Sequence, residues 1–310
     1  MRILFMGTPD FALFSLRALV DAGEDVIGVV TQPDKPKGRG YALTPPPVKV
    51  YALEKGLPVY QPATLRGEEF ASLLSELAPD LIVVVAFGKI LPQNVLDYPK
   101  YGCINVHGSL LPEYRGAAPM QRAIIDGKKE TGITTMKMDV GLDTGDMLLV
   151  SKIAIETNDN FETVHDKLGA CGAETLLDTI KELRAGTLVA QKQDDALATY
   201  AAKIEKTDCL IDFDRPAQAI HDQIRGLSPI PLSFTHTPDG KMLKIIASEL
   251  VSVDHSAPAG TVLSLDGGKI VVACKESAVA LLTVLPEGKK RMAASDFING
   301  RKIQVGDVLK

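Results

Sequence analysis

Short apolar runs alternate with stretches of helical periodicity along the first part of the chain. The run RILFMG at 2–7 ends in a turn, and DFALFSLRALVDAG then places apolar residues at helical spacing. A second apolar run, DVIGVVTQ at 25–32, follows directly. Such alternation of buried strands and amphipathic helices is the pattern of a βαβ unit.

The same alternation continues to residue 186. The pattern predicts helices at 67–77, 118–126 and 161–185, the last stopped by Gly186, and strands at 80–86, 102–107, 131–138 and 145–154. Strands that are apolar along their whole length are buried on both faces, as in a parallel sheet between helices. We therefore expect an α/β domain over 1–189 with a mostly parallel sheet and helices on both faces.

The pattern changes after residue 189. Residues 190–206 have no strong period and predict a linker. From 241 onward, short alternating strands such as KMLKIIASELVS and KIQVGDVL are separated by turns that contain Gly or Pro. Residues 207–310 are therefore predicted to form a smaller antiparallel β-barrel domain, OB-like in architecture.

Composition restricts the class of protein. The chain has 310 residues, 45% hydrophobic and 24% charged, which is typical of a globular protein long enough for two cores. Its four cysteines have neither metal-site nor disulfide-framework spacing. The longest apolar run, LIVVVAF at 81–87, is too short to span a bilayer, and GTPD interrupts the apolar N-terminal segment, so we expect a cytoplasmic protein.

Two polar residues, Asn105 and His107, close an apolar strand. In an extended chain alternate side chains share a face, so Cys103, Asn105 and His107 point one way while Ile104 and Val106 point the other. The carboxyl ends of parallel strands are where open α/β sheets bind ligands. The pair is either a ligand site or a satisfied polar pair in the core, and the strand alone does not decide between them.

Two further features of the sequence allow other interpretations of its function. Cys103 beside His107 offers a thiol nucleophile, although a cysteine between apolar residues in a strand is more often simply buried. The turn MGTPDF stands where a dinucleotide fold carries G-x-G-x-x-G, but its single glycine and its proline do not provide the close approach that a pyrophosphate needs. Cys103 is therefore a weak candidate for a nucleophile, and MGTPDF is a weak candidate for a dinucleotide site.

The loop MDVGLDTGDM at 138–147 adds a third polar group, Asp143, which can orient an imidazole. An amide, an imidazole and a carboxylate, without a Ser nucleophile or a metal-ligand set, suit direct attack of a substrate amine on an activated acyl carbon. Asn105 would donate to the developing oxyanion, His107 would stabilise it and move protons, and Asp143 would set the tautomer and charge of the imidazole. The acyl donor would be a carrier cofactor, and no metal is expected.

Three blocks, GTPDF, INVHGSLLPEYRGAAP and MDVGLDTGD, occur in an order that resembles the folate-dependent formyltransferases. The resemblance implies a Rossmann-like fold for the α/β domain. The resemblance implies that Asn105, His107 and Asp143 are catalytic and that the formyl donor is 10-formyltetrahydrofolate. It also implies a folate site lined by these residues: Phe87, Ile90, Leu91, Ser109, Leu110, Leu111, Pro112 and Asp139.

The loop TQPDKPKGRGYALTPPPVK at 31–49 resembles the basic insertion that tRNA-acting members of this family use on their substrate. The resemblance therefore implies that the formyl group goes to the free α-amino group of initiator methionyl-tRNA, for translation initiation, and that the barrel binds tRNA. The implied tRNA-binding residues of the loop are Lys35, Lys37, Arg39 and Lys49. We expect the protein to act as a monomer.

Charge restricts any RNA contact to local patches. The formal net charge is −5, and residues 207–310 hold 12 Lys and Arg against 12 Asp and Glu, so bulk charge does not attract RNA. A second basic cluster lies near the C-terminus and consists of Lys289, Lys290, Arg291, Arg301 and Lys302. That cluster is either a tRNA contact or solvated surface charge.

Other classes of protein stay open. Purine-pathway formyltransferases are usually a single domain near the size of residues 1–190, so the barrel argues against them. Sugar-nucleotide formyltransferases can carry a comparable second domain, and only the basic loop argues against them. A nicotinamide-dependent oxidoreductase would bind its cofactor at MGTPDF, and a non-catalytic RNA-binding module would function without His107.

Overall fold

The structure, a computed structural model, describes residues 1–37 and 42–310. Its elements up to residue 201 are, in chain order, β1 (Arg2–Gly7), α1 (Asp10–Asp21), β2 (Asp25–Val30), β3 (Lys35–Lys37), β4 (Ala42–Thr44), α2 (Pro47–Glu54), β5 (Val59–Tyr60), α3 (Glu68–Leu77), β6 (Leu81–Val85), α4 (Gln93–Leu96), β7 (Cys103–His107), β8 (Arg115–Gly116), α5 (Pro119–Ile125), β9 (Glu130–Lys137), β10 (Met147–Ala154), α6 (Phe161–Ala185) and β11 (Tyr200–Ala201). The remaining elements are α7 (Ala217–Gly226), β12 (Ser233–His236), β13 (Met242–Val251), β14 (Val262–Ser264), β15 (Ile270–Ala273), β16 (Ala278–Pro286), β17 (Met292–Ala293) and α8 (Ala294–Asn299).

Within the described ranges, seven strands form one sheet in the order β10-β9-β7-β6-β1-β2-β5. The pairs β1–β2, β1–β6, β6–β7 and β2–β5 are parallel, and β7–β9 is antiparallel. The central strand β6 is LIVVV and is buried at every position. The sheet confirms the mostly parallel architecture expected from the apolar strands, and with it the Rossmann-like fold that the resemblance implies.

Helices cover both faces of this sheet, which explains why its central strand β6 is apolar throughout. On one face, Ile82 and Cys103 belong to a buried cluster with Phe70 and Leu74 of α3. On the other face α6 lies close to the strands, since a Cβ atom at Gly172 would be 3.1 Å from Val106. The opposite orientation of Cys103 and Val106 confirms the alternation expected along β7.

The long helix α6 has the bounds that its apolar spacing predicts, 161–185. Gly186 follows it in the left-handed region, with φ of 69°, and its N–H donates to the Leu183 carbonyl. Glycine takes this conformation without steric cost, so it ends the helix as expected. In the part of the chain that the structure describes, no helix is both long and apolar enough to cross a membrane.

A second sheet lies in the C-terminal part, in the order β12-β13-β16-β15-β14, with β17 on β16. Its pairs are antiparallel. Leu243 and Leu281 belong to its core together with Ile220 and Ile224 of α7. Register shifts along β13 and β16 mark bulges, which bend a sheet, and the result is a curled antiparallel half-barrel as the fold prediction required.

One predicted strand of the C-terminal part is wrong, and one helix was not predicted. KIQVGDVL was expected to be a strand, but Val308 forms only an isolated bridge with Thr261 because Gly306, with φ of 90°, turns the chain within the segment. The segment before it was given no helix, yet it forms α8, whose Ala294 and Phe297 pack into the barrel core. The first outcome is local, since it depends on the conformation of Gly306, whereas α8 depends on packing against distant strands.

The chain divides into two compact units. The first contains residues 1–116, 130–153 and 165–200, and the second contains residues 117–129, 154–164 and 201–310. Two short segments that lie within the predicted α/β domain, residues 117–129 and 154–164, thus belong to the second unit. The boundaries 1–189 and 207–310, and the linker at 190–206, stay predictions about how the chain divides into domains.

Candidate active site

Asn105 and His107 lie at the carboxyl end of β7, near the middle of the parallel sheet. Asn105 pairs in register with Val84 of β6 and with Met136 of β9. Its side chain is half-buried. Among the described residues its amide has no hydrogen-bond partner, so it can donate to a bound molecule.

The imidazole of His107 is buried, with 6% of the residue exposed. Its Nε2 lies 3.0 Å from the carbonyl oxygen of Tyr114. Because a carbonyl oxygen only accepts, Nε2 carries the hydrogen of this bond. Nδ1 lies 3.7 Å from Asp143 Oδ2, which is too long for a hydrogen bond but close enough for attraction when the ring is protonated.

Asp143 lies in the loop between β9 and β10 with a left-handed backbone, φ of 52°. Its Oδ2 accepts from the backbone N–H of Gly116 at 2.8 Å. Gly145 is required nearby, because a Cβ atom there would overlap the Lys137 carbonyl. The structure therefore brings together all three residues predicted to be catalytic, Asn105 and His107 on one strand and Asp143 opposite the ring.

Four residues near this trio were missed by the sequence analysis. Gln193 donates to the main-chain carbonyls of Asp143 and Gly145, at 2.8 and 2.7 Å. It also accepts from Arg115 Nε at 3.0 Å, and Arg115 is only 2% exposed. Thr199 accepts from the Tyr114 N–H at 2.8 Å. No periodicity marks Gln193 or Thr199, because both lie in the irregular segment that follows α6.

Cys103 is not placed as a nucleophile. Its thiol is 1% exposed and contacts the Val95 carbonyl at 3.6 Å. Burial, followed by the charge of Asp97, raises the pKa of this thiol to about 12. The thiol therefore stays protonated at neutral pH, and the thiolate that such chemistry needs does not form.

The residues expected to bind folate differ in exposure. Phe87, Leu91, Ser109 and Leu111 are buried, and Ile90 is 82% exposed. Leu110 and Pro112 are half-buried.

Asp139 and the exposed loop side chains complete the surroundings of Asp143. Asp139 accepts from the Gly141 N–H at 3.0 Å and from Thr144 Oγ1 at 2.6 Å, so it also shapes the 139–144 loop. Val140 and Leu142 are 69% and 60% exposed and were not among the predicted site residues. Their apolar side chains inside an otherwise polar loop could have marked them in the sequence.

The turn MGTPDF joins the carboxyl ends of neighbouring strands. Thr8 Oγ1 donates to the Phe87 carbonyl at 3.3 Å and accepts from the Gln32 N–H at the same distance. The Gln32 side chain also donates to Phe87, at 3.1 Å. The Thr8 hydroxyl of the turn thus forms hydrogen bonds with the loops that follow β2 and β6.

The basic loop is described in part. Lys35 is exposed on β3, which forms a hairpin with β4. Lys49 forms an ion pair with Asp34 at 2.9 Å and donates to Gln61 at 2.8 Å. Arg39 and the side chain of Lys37 lie outside the described residues. Assignment of these four residues to tRNA stays a prediction.

The C-terminal basic cluster borders a cavity in the second unit. Lys289 and Lys302 line it beside an apolar floor that includes Met292 and Phe297. Asp239, Glu287 and Asp296 also line it, so its rim carries both signs of charge. The described residues contain no group of three or more His, Cys, Asp or Glu side chains that could hold a metal ion.

Comparison with known proteins gives strong matches over the whole chain. The chain is 51% identical over 309 residues to a methionyl-tRNA formyltransferase of Geotalea uraniireducens, covering 100% of this chain and 98% of the relative. It is 50% identical over 309 residues to a methionyl-tRNA formyltransferase of Bacillus subtilis, covering 99% and 97%.

Solved structures support the fold. The N-formyltransferase of Helicobacter canadensis, in complex with folinic acid and dTDP-3-aminofucose, superposes with a TM-score of 0.66 at 19% identity over 90% of this chain and 98% of that one. At that identity the likeness concerns the fold alone. The models of the formyl transferase family and of its C-terminal domain match residues 1–180 and 203–302. The chain therefore belongs to the formyl transferase family.

Proposed function

We propose that this protein transfers the formyl group of 10-formyltetrahydrofolate to the α-amino group of initiator methionyl-tRNA, giving formylmethionyl-tRNA for translation initiation. Two relatives with this substrate in their names are 50% and 51% identical over nearly the full length of both chains. The observation that carries the chemistry is the convergence of Asn105, His107 and Asp143 at the carboxyl end of the sheet.

In the first step the free α-amine attacks the formyl carbon, and a C–N bond forms while negative charge develops on the formyl oxygen. The unpartnered amide of Asn105 donates a hydrogen bond to that oxygen. A donor aimed at developing charge stabilises the transition state more than the ground state, which is what accelerates the step.

The second step moves one proton. The attacking nitrogen carries an extra proton in the tetrahedral intermediate, and His107 accepts it at Nδ1, because Nε2 already donates to the Tyr114 carbonyl. The ring then gives the proton to N10 of the folate as the bond between that nitrogen and the formyl carbon breaks. Tetrahydrofolate and the formylated amine leave, and the aminoacyl ester stays intact.

Asp143 acts on this cycle mainly through its charge. At 3.7 Å from Nδ1 its carboxylate does not lock the ring by a direct hydrogen bond, since the Tyr114 carbonyl does that from the other side. When His107 becomes an imidazolium, the carboxylate attracts it, and the cation in turn stabilises the oxyanion. Removal of the carboxylate charge is therefore expected to slow proton transfer with the ring still in position.

One assay tests the proposed activity. The protein is incubated with 10-formyltetrahydrofolate and methionyl-tRNA, and the esterified amino acid is released by mild base and analysed for formylmethionine. Parallel reactions contain a dTDP-amino sugar in place of the tRNA, or the tRNA without folate. Formylation of the sugar but not of methionyl-tRNA would contradict the proposal and favour a sugar nucleotide as the acceptor.

A second assay addresses the tRNA contact. Arg39 stands between two glycines in the basic loop, and its planar guanidinium can bind phosphate or stack on a base. Arg39→Ala should lower kcat/KM for methionyl-tRNA severely and leave folate affinity intact, whereas Lys181→Ala, at an exposed position of α6, should change neither. Unchanged kcat/KM in Arg39→Ala would exclude the loop as the recognition arm.

A third measurement addresses the assembly. We infer that the protein acts as a monomer, which light scattering with and without tRNA tests directly. A stable dimer of the free protein would contradict this part of the proposal.

A further inference from the structure

The segment after α6 runs alongside the loop that follows the catalytic strand. The Arg115 N–H donates to the Thr199 carbonyl at 2.9 Å, and the Tyr114 N–H donates to Thr199 Oγ1 at 2.8 Å. Tyr114 is the residue whose carbonyl holds His107. The irregular segment therefore contacts the support of the imidazole.

Gln193 in the same segment contacts the support of the carboxylate. Its two amide hydrogens go to the carbonyls of Asp143 and Gly145, and its oxygen accepts from Arg115. Only 5% of the residue is exposed. Gln193 thus uses both of its donors on the Asp143 loop and its acceptor on a buried cation.

The Asp143 loop needs such a support. Asp143 has a left-handed backbone, which costs a non-glycine residue free energy unless the surroundings hold it there. Val140 and Leu142 of the same loop are exposed, so packing of these side chains does not fix the loop. Asp139 ties the loop to itself and the Gly116 N–H holds the Asp143 carboxylate, while Gln193 adds a buried anchor from outside the loop to the main-chain carbonyls of Asp143 and Gly145.

We propose that Gln193 is a positioning residue, which holds the Asp143 carboxylate at its distance from His107 and thereby sets the rate of formyl transfer. This inference rests on the proposed function. Displacement of a reacting group by about 1 Å costs on the order of a hundredfold in rate, so loss of this restraint should lower kcat by about ten- to a hundredfold.

A purely structural role of Gln193 gives a different expectation. In that case the residue only satisfies the buried guanidinium of Arg115, and a carboxylate at the same position would do so at least as well. The variant Gln193→Glu separates the two roles, because it keeps an acceptor for Arg115 and removes both donors to the loop.

The test measures kcat and KM for both substrates in Gln193→Glu and Gln193→Ala. Gln191 provides the matched control, since it has the same side chain two residues earlier and that side chain is exposed. We expect kcat to fall about ten- to a hundredfold in both Gln193 variants, with little change in KM, and both parameters to stay at wild-type values in Gln191→Glu. Wild-type kcat in Gln193→Glu would overturn the inference.

A double-mutant cycle tests the route of the effect. If Gln193 acts through Asp143, Gln193→Glu should cause little further loss in an Asp143→Asn background, where the charge to be positioned is absent. The full loss in that background would show an independent structural effect and would also overturn the inference.

Hydrogen exchange separates failure of the inference from failure of the proposed function. Amides of residues 138–147 should exchange faster in folded Gln193→Glu than in the wild type, with no change in Gln191→Glu. This result does not depend on the substrate. If the wild type formylates no methionyl-tRNA, the proposed function fails, whereas unchanged exchange in Gln193→Glu defeats the inference whatever the substrate is.

Discussion

The fold buries two histidines that each have an aspartate close by, one at the end of β7 and one in α7. His107 is 6% exposed and has Asp143 at 3.7 Å. His221 is 9% exposed and precedes Asp222 in the chain. Residue type and burial alone therefore do not tell which of the two histidines is catalytic.

Their partners do separate them. His221 lies 3.0 Å from Ser248 Oγ, and Asp222 forms an ion pair with Arg225 at 2.6 Å. Arg225 donates in turn to the Asp159 carbonyl at 3.0 Å, so His221, Asp222 and Arg225 all have polar partners within the second unit. At the end of β7, by contrast, the Asn105 amide has no partner among the described residues, and Nδ1 of His107 makes no direct hydrogen bond.

The difference lies in the kind of element that carries the residues. A buried helix brings its polar side chains against neighbours on every side, and these must pair or the protein loses stability. A parallel strand ends at an edge where the chain turns away, so its last side chains point into space that loops border. Polar burial in α7 thus serves stability, and polar burial after β7 leaves groups available for a substrate.

The largest expected effect is on stability and concerns α7. Asp222→Ala leaves the buried Arg225 guanidinium without its carboxylate, and loss of one partner of a buried ion pair costs about 3–5 kcal/mol in the free energy of unfolding. Chemical denaturation measures the loss. Gln218→Ala removes a part-buried hydrogen bond from an exposed, uncharged side chain to the same carboxylate, and it should lower the free energy of unfolding by much less. Equal losses in both variants would contradict the importance of the pair.

The second effect is on turnover and concerns the end of β7. Asn105→Ala and His107→Ala should each lower kcat on the order of a hundred- to a thousandfold, the usual result of removing a group aimed at a developing charge, with little change in the melting temperature. His221→Ala is the matched control and should lose stability but keep its kcat per folded molecule. If His107→Ala behaved like His221→Ala, both histidines would be structural.

A third and smaller effect tests the surroundings of the site. Ile90→Asp places a charge on an apolar side chain that is 82% exposed, and it should weaken folate binding by about tenfold while tRNA binding stays nearly unchanged. Val150→Asp, at an exposed position of β10, should change neither affinity. Calorimetric titration with each substrate provides the measurement. Equal losses for both substrates in Ile90→Asp would argue against separate binding surfaces.

The smallest effect is the pH dependence contributed by His221. Burial lowers the pKa of this imidazole below its ordinary value of 6.5, with the nearby Arg225 acting in the same direction and Asp222 opposing it. The unfolded state therefore binds the proton more readily, so the contribution of His221 to stability is complete above about pH 6.5 and falls as the pH drops below it. The free energy of unfolding should decline less steeply between pH 7 and 5 in His221→Gln than in the wild type. A steeper decline in His221→Gln would mean that folding raises the pKa of His221, which would contradict the prediction.

Several elements could be predicted from the sequence because their signals are local. The spacing of apolar residues and the terminal Gly186 determine α6, and continuous apolar runs determine β1 and β6. The period of two along a strand also placed Asn105 and His107 on one side. These properties follow from the geometry of a single helix or strand and need no partner.

Other elements depended on partners far away in the chain. Helix α8 was not predicted, and its Ala294 and Phe297 pack into a core formed with distant strands. Gln193 carries no periodic signal, and its role arises only where the segment after α6 meets the Asp143 loop. Contacts of this kind join residues 50 positions apart, as in the bond between Gln193 and Asp143, and local propensity does not encode them.

The sequence by itself determined the class of fold, the order of the longer strands in the first half together with α1, α3 and α5, and the chemical types and spacing of Asn105, His107 and Asp143. Only the tertiary structure decided that the Tyr114 carbonyl, and not Asp143, holds the ring of His107, because the distances of 3.0 and 3.7 Å result from how separate loops fold together. It also decided that Asp222 and Arg225 of α7 pair with each other, and that the Asn105 amide has no hydrogen-bond partner among the described residues. The physical reason is that each residue's chemical type is set at its own position in the chain. Whether its hydrogen-bonding groups remain free depends on every neighbour that the fold brings to it.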